Sequence, residues 1–330
     1  MEKFTISGPV ALCCEVLRRA GFAAYPVGGG VRDLLLGKKP ADWDITTAAL
    51  PHQIQALFDC TIPTGIAHGT VTVLLDGTPL EVTAFRSEQG YSDGRHPDGV
   101  SFGVSLAEDL QRRDFTINAM ALDVDGTVID PFDGQGDLAR RLVRCVGDPA
   151  VRFGEDALRM LRCLRFAAQL GFSVEEKTLA AVGENAALAA RLSPERVTAE
   201  LQKTILSTYP QMAGKMAELG LLEPYLPKGQ CCDLTGLEGC PATAEERWRF
   251  FCAATGLEIE RLPVSRSIRR AVRYCAADDP GTLAITGGEL YGLGLRGGAI
   301  SAAQRQLLQF VAAHPEKNTK EELLARLGAE

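Results

Sequence analysis

The stretch VGGGVRDLLLGKKPADWDIT, residues 27–46, decides the fold of this chain. Its glycines follow the strand-like run 23–27 and precede a short apolar helix pattern. A glycine turn between a strand and a helix lets backbone N–H groups approach phosphate oxygens at the start of the helix. Asp42 and Asp44 end the stretch. We therefore expect a phosphate-binding turn beside a pair of carboxylates.

The spacing of Asp42 and Asp44 predicts a metal site. In a strand, residues two apart project from the same face, so the carboxylates lie side by side while Trp43 turns into the core. Like charges this close repel unless a cation lies between them, and hard oxygen ligands suit Mg²⁺. Glu81, in the predicted strand LEVTAF, completes the set from a neighbouring strand. The alternative is that one aspartate caps the following turn and the other is solvated.

A dinucleotide-binding turn is the rival interpretation of the glycines. That motif needs a glycine at the position that Asp33 occupies, and an acidic residue at the end of a second strand about 20 residues further on. The sequence has neither feature. Arg32 instead adds a guanidinium fork, which binds phosphate in a bidentate way. The pattern favours phosphate chemistry with carboxylates over dinucleotide binding.

The first part of the chain has the periodicity of an α/β domain. A helix is predicted over 8–20, and a second helix begins at Pro51. Two alternating runs on either side of Asp76-Gly77 predict a β-hairpin, because this dipeptide is typical of a two-residue turn. The polar residues 86–111 lack periodicity and predict a mobile loop. We expect an α/β head with a mixed sheet.

From about residue 150 onward, strand patterns vanish and helical periodicity takes over. An all-α region therefore follows the head. Candidate boundaries are Gly147-Asp148-Pro149 and the glycine- and proline-rich span 224–241.

Composition and charge limit the possible partners. Hydrophobic residues make up 46% and charged residues 23%, as in an ordinary globular protein. No run approaches the ~20 apolar residues of a membrane span, and the N-terminus lacks a secretory pattern, so we expect a cytoplasmic protein with no membrane partner. The net charge of −7 does not favour nucleic acid. If RNA binds, residues 146–215, with nine bases and eight acids, and local arginine clusters must hold it.

A series of motifs between residue 23 and about residue 205 resembles the class II tRNA nucleotidyltransferase and bacterial poly(A) polymerase family, a branch of the polymerase-β-like nucleotidyltransferases. In order, they are GGGVRDLLLG, DWDIT, HGTVTV, EVTAFR, FRSEQGYSDGRHPDGVSF, RRDFTINAMA, RFGEDALRMLRCLRFAAQLGF and LSPERVTAEL. The C-terminal stretches ITGGELYGLGLRGG and NTKEELLARL look like a degraded form of the family's tail. The ordered set is far more specific than any one motif.

The resemblance implies an enzyme that adds CCA to the 3′ end of tRNA without a template. CTP and ATP are the implied substrates, the tRNA 3′ acceptor end is the implied partner, and no protein partner is indicated. The implied metal ligands are Asp42 and Asp44, with Mg²⁺ as the ion and Glu81 as the third carboxylate. The implied nucleotide-binding residues in the head are Gly29, Arg32 and Arg113.

The resemblance also implies a division into three parts. Residues 1–145 would form the catalytic nucleotidyltransferase head. Residues 146–210 would form a helical neck that recognises the base and binds RNA. Residues 211–330 would form a body and tail that bind tRNA, shorter than usual for the family between about 225 and 280. A reduced body bears on tRNA affinity more than on chemistry.

The neck motif EDALRMLRCLRF predicts how a helix can select a base. Asp156 and Arg159 are three apart, hence neighbours on one helix face. A carboxylate accepts from the amino group that cytosine and adenine share, and a guanidinium donates to the adjacent ring nitrogen. Uracil and guanine present the reversed pattern. The resemblance assigns this reading to the same two residues and adds Arg162 and Arg165 as nucleotide-binding residues.

The alternative for this helix is a solvated face on which the arginines form ion pairs. The other side chains are mostly apolar, which favours arginines directed into a cleft. LSPERVTAEL predicts a second helix, with Ser193 as N-cap and Pro194 at its first position, that braces the first.

Several relatives remain as alternatives. Poly(A) polymerases tend to have EDPVR where this chain has EDALR, and they carry a basic C-terminal extension. Relatives that add only CC typically lack part of the loop after the hairpin. That loop is intact here, with its characteristic residues Glu88, Tyr91, Asp93, Arg95, His96 and Pro97. A non-catalytic RNA-binding relative would have lost Asp42 or Asp44, and both are present. Full CCA addition is the favoured function.

Overall fold

The computed structural model describes most of the chain. The described residues are 6, 8–91, 98–226, 234, 236–273, 280–313 and 317–327. They contain fifteen α-helices: α1 (Gly8–Arg19), α2 (Gly29–Leu35), α3 (Pro51–Leu57), α4 (Leu106–Gln111), α5 (Gly134–Arg140), α6 (Pro149–Glu155), α7 (Leu158–Leu170), α8 (Glu176–Glu184), α9 (Pro194–Ile205), α10 (Met212–Glu218), α11 (Ala244–Thr255), α12 (Arg266–Arg273), α13 (Gly287–Gly292), α14 (Gly298–Ala313) and α15 (Lys320–Arg326).

Eleven strands lie in the same described residues. They are β1 (Ala24–Val27), β2 (Asp44–Thr47), β3 (Thr61–Gly65), β4 (Thr70–Leu75), β5 (Thr78–Ala84), β6 (Arg86–Gln89), β7 (Gly99–Phe102), β8 (Ala121–Leu122), β9 (Val128–Ile129), β10 (Leu142–Val143) and β11 (Ser173–Val174). Seven of them form a sheet in the order β3-β4-β5-β2-β1-β8-β9. The pair β2–β5 is parallel and the other pairs are antiparallel, which confirms the predicted mixed sheet.

The hairpin β4–β5 forms as the sequence predicts. Asp76 (φ 49°) and Gly77 (φ 74°) both adopt positive φ. Positive φ at both central residues is the geometry of a type I′ turn, whose twist matches that of the flanking strands. The turn fixes the register that pairs Thr72 with Glu81.

The sheet has one apolar face and one polar face. Val71, Val73 and Val82 alternate inward and are fully buried in a cluster with side chains of α1 and α3, such as Leu17 and Ile54. Because side chains alternate along a strand, the residues between these valines project from the opposite face. That face carries the polar groups of the candidate site.

Helix α7 is the central helix of the region after the head. Nine of its thirteen residues are buried, including two of its arginines. Helix α9 packs against it, and Glu200 of α9 pairs with Arg165 of α7. Ser193 and Pro194 occupy the predicted N-cap and first positions of α9, although the Ser193 side chain makes no capping hydrogen bond. The prediction that α9 braces α7 is confirmed.

The chain separates into two compact units, Met1–Pro224 and Tyr225–Glu330. The division lies at the start of the predicted boundary span 224–241, whereas Gly147-Asp148-Pro149 lies within the first unit. In the second unit, Trp248 and Phe251 are fully buried and meet edge to face at 6.3 Å. Among the described residues, no helix is both long and apolar enough to cross a bilayer.

Three sequence-based expectations about local structure were wrong. Asp42 precedes β2 instead of lying in it, since that strand begins at Asp44. Residues 86–111 were expected to form a mobile loop without regular structure, but their described part contains β6, β7 and α4, with β6 paired antiparallel to β7. The short strand β11 lies beyond residue 150 and pairs in parallel with β10. In β6 and β11, pairing with a strand that is distant in sequence overrides the local pattern.

Candidate active site

The glycine turn follows β1 and begins α2. Gly28 has φ 74°, and a Cβ at this position would lie 3.0 Å from the Arg113 guanidinium and 3.4 Å from the Asp44 carboxylate. A Cβ on Gly30 would lie 2.8 Å from the Trp43 ring. Glycine is therefore required twice, once for backbone conformation and once for close packing. The turn brings the α2 backbone against the segment that carries the carboxylates.

The three predicted carboxylates lie along one edge of this turn. In β2, Asp44 pairs with Val27 of β1 on one side and with Glu81 of β5 on the other. Trp43 is partly buried and packs against two apolar clusters, as expected from its position between two aspartates. Asp42 lies in the segment just before β2. Asp42, Asp44 and Glu81 all line the same cavity.

Electrostatics disfavours the charged forms of Asp44 and Glu81. Burial raises the pKa of Asp44, and Asp42 adds to the rise while Arg113 opposes it. Burial also raises the pKa of Glu81, with further contributions from Asp44 and Asp42. Mutual repulsion of this kind is relieved by a bound cation.

The donor set fits a hard divalent cation at two of the three carboxylates. Asp42 and Asp44 offer oxygen ligands of the kind that Mg²⁺ prefers. Within the described residues, however, no group of three or more His, Cys, Asp or Glu side chains is gathered closely enough to hold an ion. The arrangement therefore fits a two-aspartate site in which water or substrate oxygens supply the remaining ligands, and Glu81 lies beside it.

Arg32 and Arg113 lie on the glycine side of the cavity. Arg32 donates to Asn118 at 2.8 Å and to Asp33 at 2.7 and 2.9 Å, so its fork is already oriented by the protein. The Arg113 guanidinium lies 3.6 Å from Asp109. Burial lowers the pKa of Arg113, and Asp109 and Asp44 partly restore it. Both arginines place positive charge next to the turn at which phosphate would lie.

Helix α7 contributes three arginines to the cavity wall. Arg159 is only 8% exposed and donates to Glu155 at 2.5 Å, to the Arg152 carbonyl and to the Arg112 carbonyl. Arg162 binds Asp114 through two nitrogens at 2.6 and 2.8 Å. Arg165 pairs with Glu200 at 2.5 Å.

Each of these three side chains lines the cavity, so the arginines face a cleft rather than a solvated surface, as the sequence predicts.

The buried pair between Arg162 and Asp114 fixes α7 to the head. Burial alone would raise the pKa of Asp114, but the Arg162 guanidinium and the Asn118 amide lower it to about 2. The same carboxylate accepts from the Phe115 amide at 2.8 Å. A carboxylate with this many donors stays ionised and holds its partners in place.

The expectation that Asp156 and Arg159 share one helix face was wrong. Asp156 precedes α7 and has an extended backbone (φ −141°, ψ 105°) between α6 and α7. Its carboxylate accepts from the Leu158 amide at 3.0 Å and from Arg196 of α9 at 2.7 Å. Asp156 therefore acts as a cap at the beginning of α7, and Arg159 lies one turn further on. Both residues still line the cavity.

Several cavity residues were not singled out from the sequence, and four of them contact the predicted site residues or lie beside them. Phe166 contacts three guanidinium groups, with Arg165, Arg32 and Arg162 lying 3.9, 5.2 and 5.3 Å from its ring centre. Asn118 joins Arg32 to Asp114. The others are Arg112 and Arg196. Asn118 and Arg112 lie inside the quoted motif RRDFTINAMA, but the role of Phe166 depends on contacts between distant elements that no local pattern records.

The elements together enclose a cavity of about 860 Å³ within the first unit. All ten residues singled out from the sequence line it: Gly29, Arg32, Asp42, Asp44, Glu81, Arg113, Asp156, Arg159, Arg162 and Arg165. Asp42, Asp44 and Glu81 line the wall at the sheet (the sheet wall), and Arg159, Arg162 and Arg165 line the wall formed by α7 (the helix wall). This arrangement suits a ligand that combines a polyphosphate, a metal ion and a hydrogen-bonding base.

The segment after the hairpin is anchored beside this cavity. Glu88 of β6 accepts from Arg86 at 2.9 Å, from Arg112 at 3.3 Å and from Tyr91. Burial and the Glu88 hydrogen bond raise the pKa of the Tyr91 hydroxyl. The other predicted loop residues, Asp93, Arg95, His96 and Pro97, lie outside the described residues.

Comparison with known families agrees with this geometry. Residues 24–144 match the Poly A polymerase head domain. Residues 171–231 match a probable RNA and SrmB-binding site of polymerase A. The first match contains the glycine turn, the carboxylates and Arg113, and the second begins directly after α7.

Individual relatives give the same assignment. The chain is 48% identical over 252 residues to a CCA-adding enzyme of Geobacillus thermodenitrificans and 54% identical over 205 residues to one of Limosilactobacillus fermentum. These matches cover 74% and 62% of this chain, but only 62% and 50% of the relatives. The chain therefore spans about half to three fifths of the length of these curated proteins.

A solved structure matches over nearly its whole length. The Bacillus stearothermophilus CCA-adding enzyme in complex with CTP has a TM-score of 0.70 and 31% identity, with 97% of this chain and 98% of that chain covered. The fold and cavity define a nucleotidyltransferase head followed by helical domains. The chain belongs to the class II tRNA nucleotidyltransferase and bacterial poly(A) polymerase family.

Proposed function

We propose that this protein adds CCA to the 3′ end of tRNA, using CTP and ATP and releasing pyrophosphate. The observation that carries the proposal is the single cavity that combines the glycine turn, the carboxylates and the arginines of α7. The names of the relatives at about half identity, all CCA-adding enzymes, support it. We also propose a cytoplasmic location, because tRNA maturation is the activity inferred.

The reaction joins the tRNA 3′ hydroxyl to the α-phosphate of CTP or ATP. The hydroxyl oxygen forms the new bond to phosphorus, the bond to the pyrophosphate oxygen breaks, and the hydroxyl proton passes to solvent. Mg²⁺ bound by Asp42 and Asp44 would lower the pKa of the hydroxyl and neutralise developing charge. Arg32 and Arg113 orient the triphosphate at the glycine turn through charge-assisted hydrogen bonds.

Asp156 and Arg159 select the base. Arg196 holds the Asp156 carboxylate, and Glu155 with two carbonyl oxygens holds the Arg159 guanidinium. These bonds of Arg159 use three of its five N–H donors, which leaves donors for a ring nitrogen. Side chains fixed by the protein before the nucleotide arrives reject uracil and guanine, because these bases leave the fixed groups unpaired.

We further propose the division of labour among the three parts. Residues 1–145 would carry the chemistry, residues 146–210 would read the base, and residues 211–330 would hold tRNA. In the last part, α12 supports RNA binding. Arg266, Arg269 and Arg273 recur at helical spacing on one side of α12, and the buried Ile268 lies on the other side.

This row of arginines suits the phosphate backbone of RNA. Arg269 and Arg273 both lie near the carboxylate of Glu260, at 3.6 and 2.8 Å. Arg266 is exposed. In a chain that is acidic overall, this arginine-rich side of α12 is a local candidate for contacts with RNA phosphates.

The test offers the purified protein tRNAs that end before CCA, after C and after CC, with Mg²⁺ and with CTP, ATP or both. Products are sized at single-nucleotide resolution. Three nucleotides on the shortest acceptor, followed by a stop, would support full CCA addition. Two cytidines alone, or one adenosine alone on the CC-ended acceptor, would identify a split-function relative. A long adenosine ladder would identify a poly(A) polymerase, and no product would favour a non-catalytic RNA-binding relative.

A further inference from the structure

A row of polar side chains continues from Asp44 and Glu81 across the sheet. The register pairs Asp44 of β2 with Glu81 of β5, and Glu81 with Thr72 of β4. Directly paired side chains on one face lie about 4.5–5.5 Å apart at Cβ. Thr72 is 8% exposed and lines the cavity, together with Pro79 of β5. The row therefore leads from the carboxylates to a hydroxyl group on the next strand.

The Thr72 hydroxyl is one half of a pair. Its oxygen lies 3.0 Å from the hydroxyl oxygen of Thr64 on the edge strand β3, and Thr64 itself is exposed. A hydroxyl has one donor and two acceptor positions. The bond between the two threonines uses one donor and one acceptor, so the pair keeps one donor and three acceptors. Such a pair can both give and accept a hydrogen bond, as another hydroxyl requires.

The position of the pair fits the acceptor rather than the nucleotide. The proposed triphosphate ligands lie on the β1 side of the carboxylates: Gly29 and Arg32 belong to α2, which follows β1, and the Arg113 guanidinium lies beside Gly28. The threonine pair belongs to β3 and β4, on the other side. In phosphoryl transfer the attacking and leaving oxygens are roughly in line on opposite sides of phosphorus. With pyrophosphate on the β1 side, the attacking hydroxyl comes from the β4 side.

We propose that the hydroxyl pair of Thr64 and Thr72 binds the 2′-hydroxyl of the acceptor's terminal ribose. This inference rests on the proposed function, because it requires that the terminal 3′-hydroxyl attacks beside Asp44 and Glu81. The 2′-hydroxyl is vicinal to the 3′-hydroxyl, so it must lie next to the carboxylates, where the pair offers both donor and acceptor. The 2′-hydroxyl is also the group that distinguishes RNA from DNA. The pair thus positions an RNA end and disfavours a DNA end.

The test compares two acceptors that differ by one oxygen. Both are tRNA acceptor stems that end before CCA, one with a terminal ribose and the other with a terminal 2′-deoxyribose. The first CMP addition is followed under single-turnover conditions, so later additions do not obscure it. The proteins are the wild type, Thr72→Val and Thr64→Val. Valine keeps the size and β-branching of threonine and removes only the hydroxyl.

A matched control lies two residues from Thr72 along β4. Thr70 of β4 and Thr83 of β5 form a second hydroxyl pair at 3.0 Å in the same sheet. Neither is among the described residues that line the cavity. Thr70→Val therefore removes an equivalent hydroxyl bond from the same sheet without touching the proposed site. Thr72→Ser restores the hydroxyl and serves as the rescue variant.

We expect the wild type to prefer the ribose acceptor by about three- to tenfold in kcat/KM, the size of one neutral hydrogen bond. Thr72→Val and Thr64→Val should lose this preference and keep the KM for CTP, whereas Thr70→Val and Thr72→Ser should retain the preference. A wild type without preference, preference retained in Thr64→Val, or preference lost in Thr70→Val would overturn the inference.

Two further results separate the possible failures. A wild type that extends neither acceptor would overturn the proposed function itself, and this is seen before any variant is compared. If Thr72→Val fails to fold, Thr64→Val decides the question, because Thr64 is exposed on an edge strand and its substitution leaves the buried face unchanged.

Discussion

The sheet wall and the helix wall of the cavity differ in how far their charged side chains are paired with other groups of the protein. On the sheet wall, no described residue donates a hydrogen bond to Asp42 or Glu81, and burial and repulsion raise the pKa of Asp44 and Glu81. On the helix wall, Arg159, Arg162 and Arg165 each bind an acidic partner of the protein. The chemistry depends on carboxylates that are not paired within the protein and can bind a ligand. Base selection depends on side chains that the protein already holds in position.

Removing a carboxylate should cause the largest loss of activity. We expect Asp42→Ala and Asp44→Asn to lower CMP incorporation by at least about a thousandfold, because the metal and the transition-state charge lose their anchor. Binding of tRNA should stay nearly intact. Single-turnover incorporation and filter binding measure the two quantities. Turnover at a rate near that of the wild type would refute the metal assignment.

Asp44→Asn should leave the free energy of unfolding unchanged or raise it, unlike a substitution that breaks an ion pair on the helix wall. Asp44 is accessible to solvent in the cavity, and partial desolvation together with the nearby Asp42 raises its pKa, so its charged form is disfavoured in the folded state. Replacing it with the neutral amide of asparagine would remove that cost. Urea denaturation of Asp44→Asn measures the free energy of unfolding, and a loss of more than about 1 kcal/mol would show that Asp44 is structurally paired after all.

On the helix wall, removing one charge should reduce stability strongly. Asp114→Asn breaks the ion pair between the buried Asp114 and the partly exposed Arg162 and should lower the free energy of unfolding by about 2 kcal/mol, because Arg162 then loses its charged partner. The expected loss is measured by urea denaturation next to Asp44→Asn. Equal free energies of unfolding for Asp114→Asn and Asp44→Asn would contradict the proposed difference between the walls.

This loss should depend on pH in a defined direction. The folded-state pKa of Asp114 is about 2, below its usual value of 3.8. A lowered pKa contributes stability that is fully present above the usual value and is lost as pH falls toward 2. The difference in unfolding free energy between wild type and Asp114→Asn should therefore be constant above about pH 5 and shrink between about pH 4 and pH 2. A difference that grows on acidification would contradict the assignment.

Weakening base selection should have a moderate effect. Asp156→Ala removes the acceptor for the amino group of cytosine and adenine and should relax the rejection of UTP by about ten- to a hundredfold, the cost of one unmet buried hydrogen bond. Arg196→Met, which only frees the carboxylate from its partner, should relax it less. Competition between CTP and UTP measures both variants. Unchanged rejection of UTP in Asp156→Ala would count against the reading role.

The smallest effect is expected in the second unit. Arg266→Gln should weaken tRNA binding a few-fold and reduce the slope of affinity against salt by about one, because one phosphate contact is lost. Arg305→Gln on α14 is the matched control, since Arg305 is an exposed arginine outside the α12 row. If both variants show the same small change, α12 has no special role in holding RNA.

Local patterns in the sequence predict the sheet wall well. The glycine turn, the hairpin turn at Asp76-Gly77 and the burial of Trp43 each depend on a few adjacent residues. The neighbouring position of Glu81 follows from the alternation of its strand and the register of β5. These features are set by backbone preferences and by period-two alternation, which a single sequence displays.

The helix wall is less predictable because its geometry is set at long range. Asp156 leaves the helix because it caps α7 and pairs with Arg196, 40 residues away. Phe166 gathers arginines from two elements, and its role cannot be read from an apolar position in a helical pattern. The strand β6 escapes prediction for a similar reason, since Glu88 is stabilised by arginines on two different elements.

The most direct test of the account measures the binding of the four ribonucleoside triphosphates by calorimetry in the presence of Mg²⁺. If fixed groups on the helix wall read the base while open charges on the sheet wall hold the phosphates, CTP and ATP will bind at least about tenfold more tightly than UTP and GTP. Asp156→Ala will bind all four with similar affinity. Equal binding of all four by the wild type, or binding of none, would contradict the account.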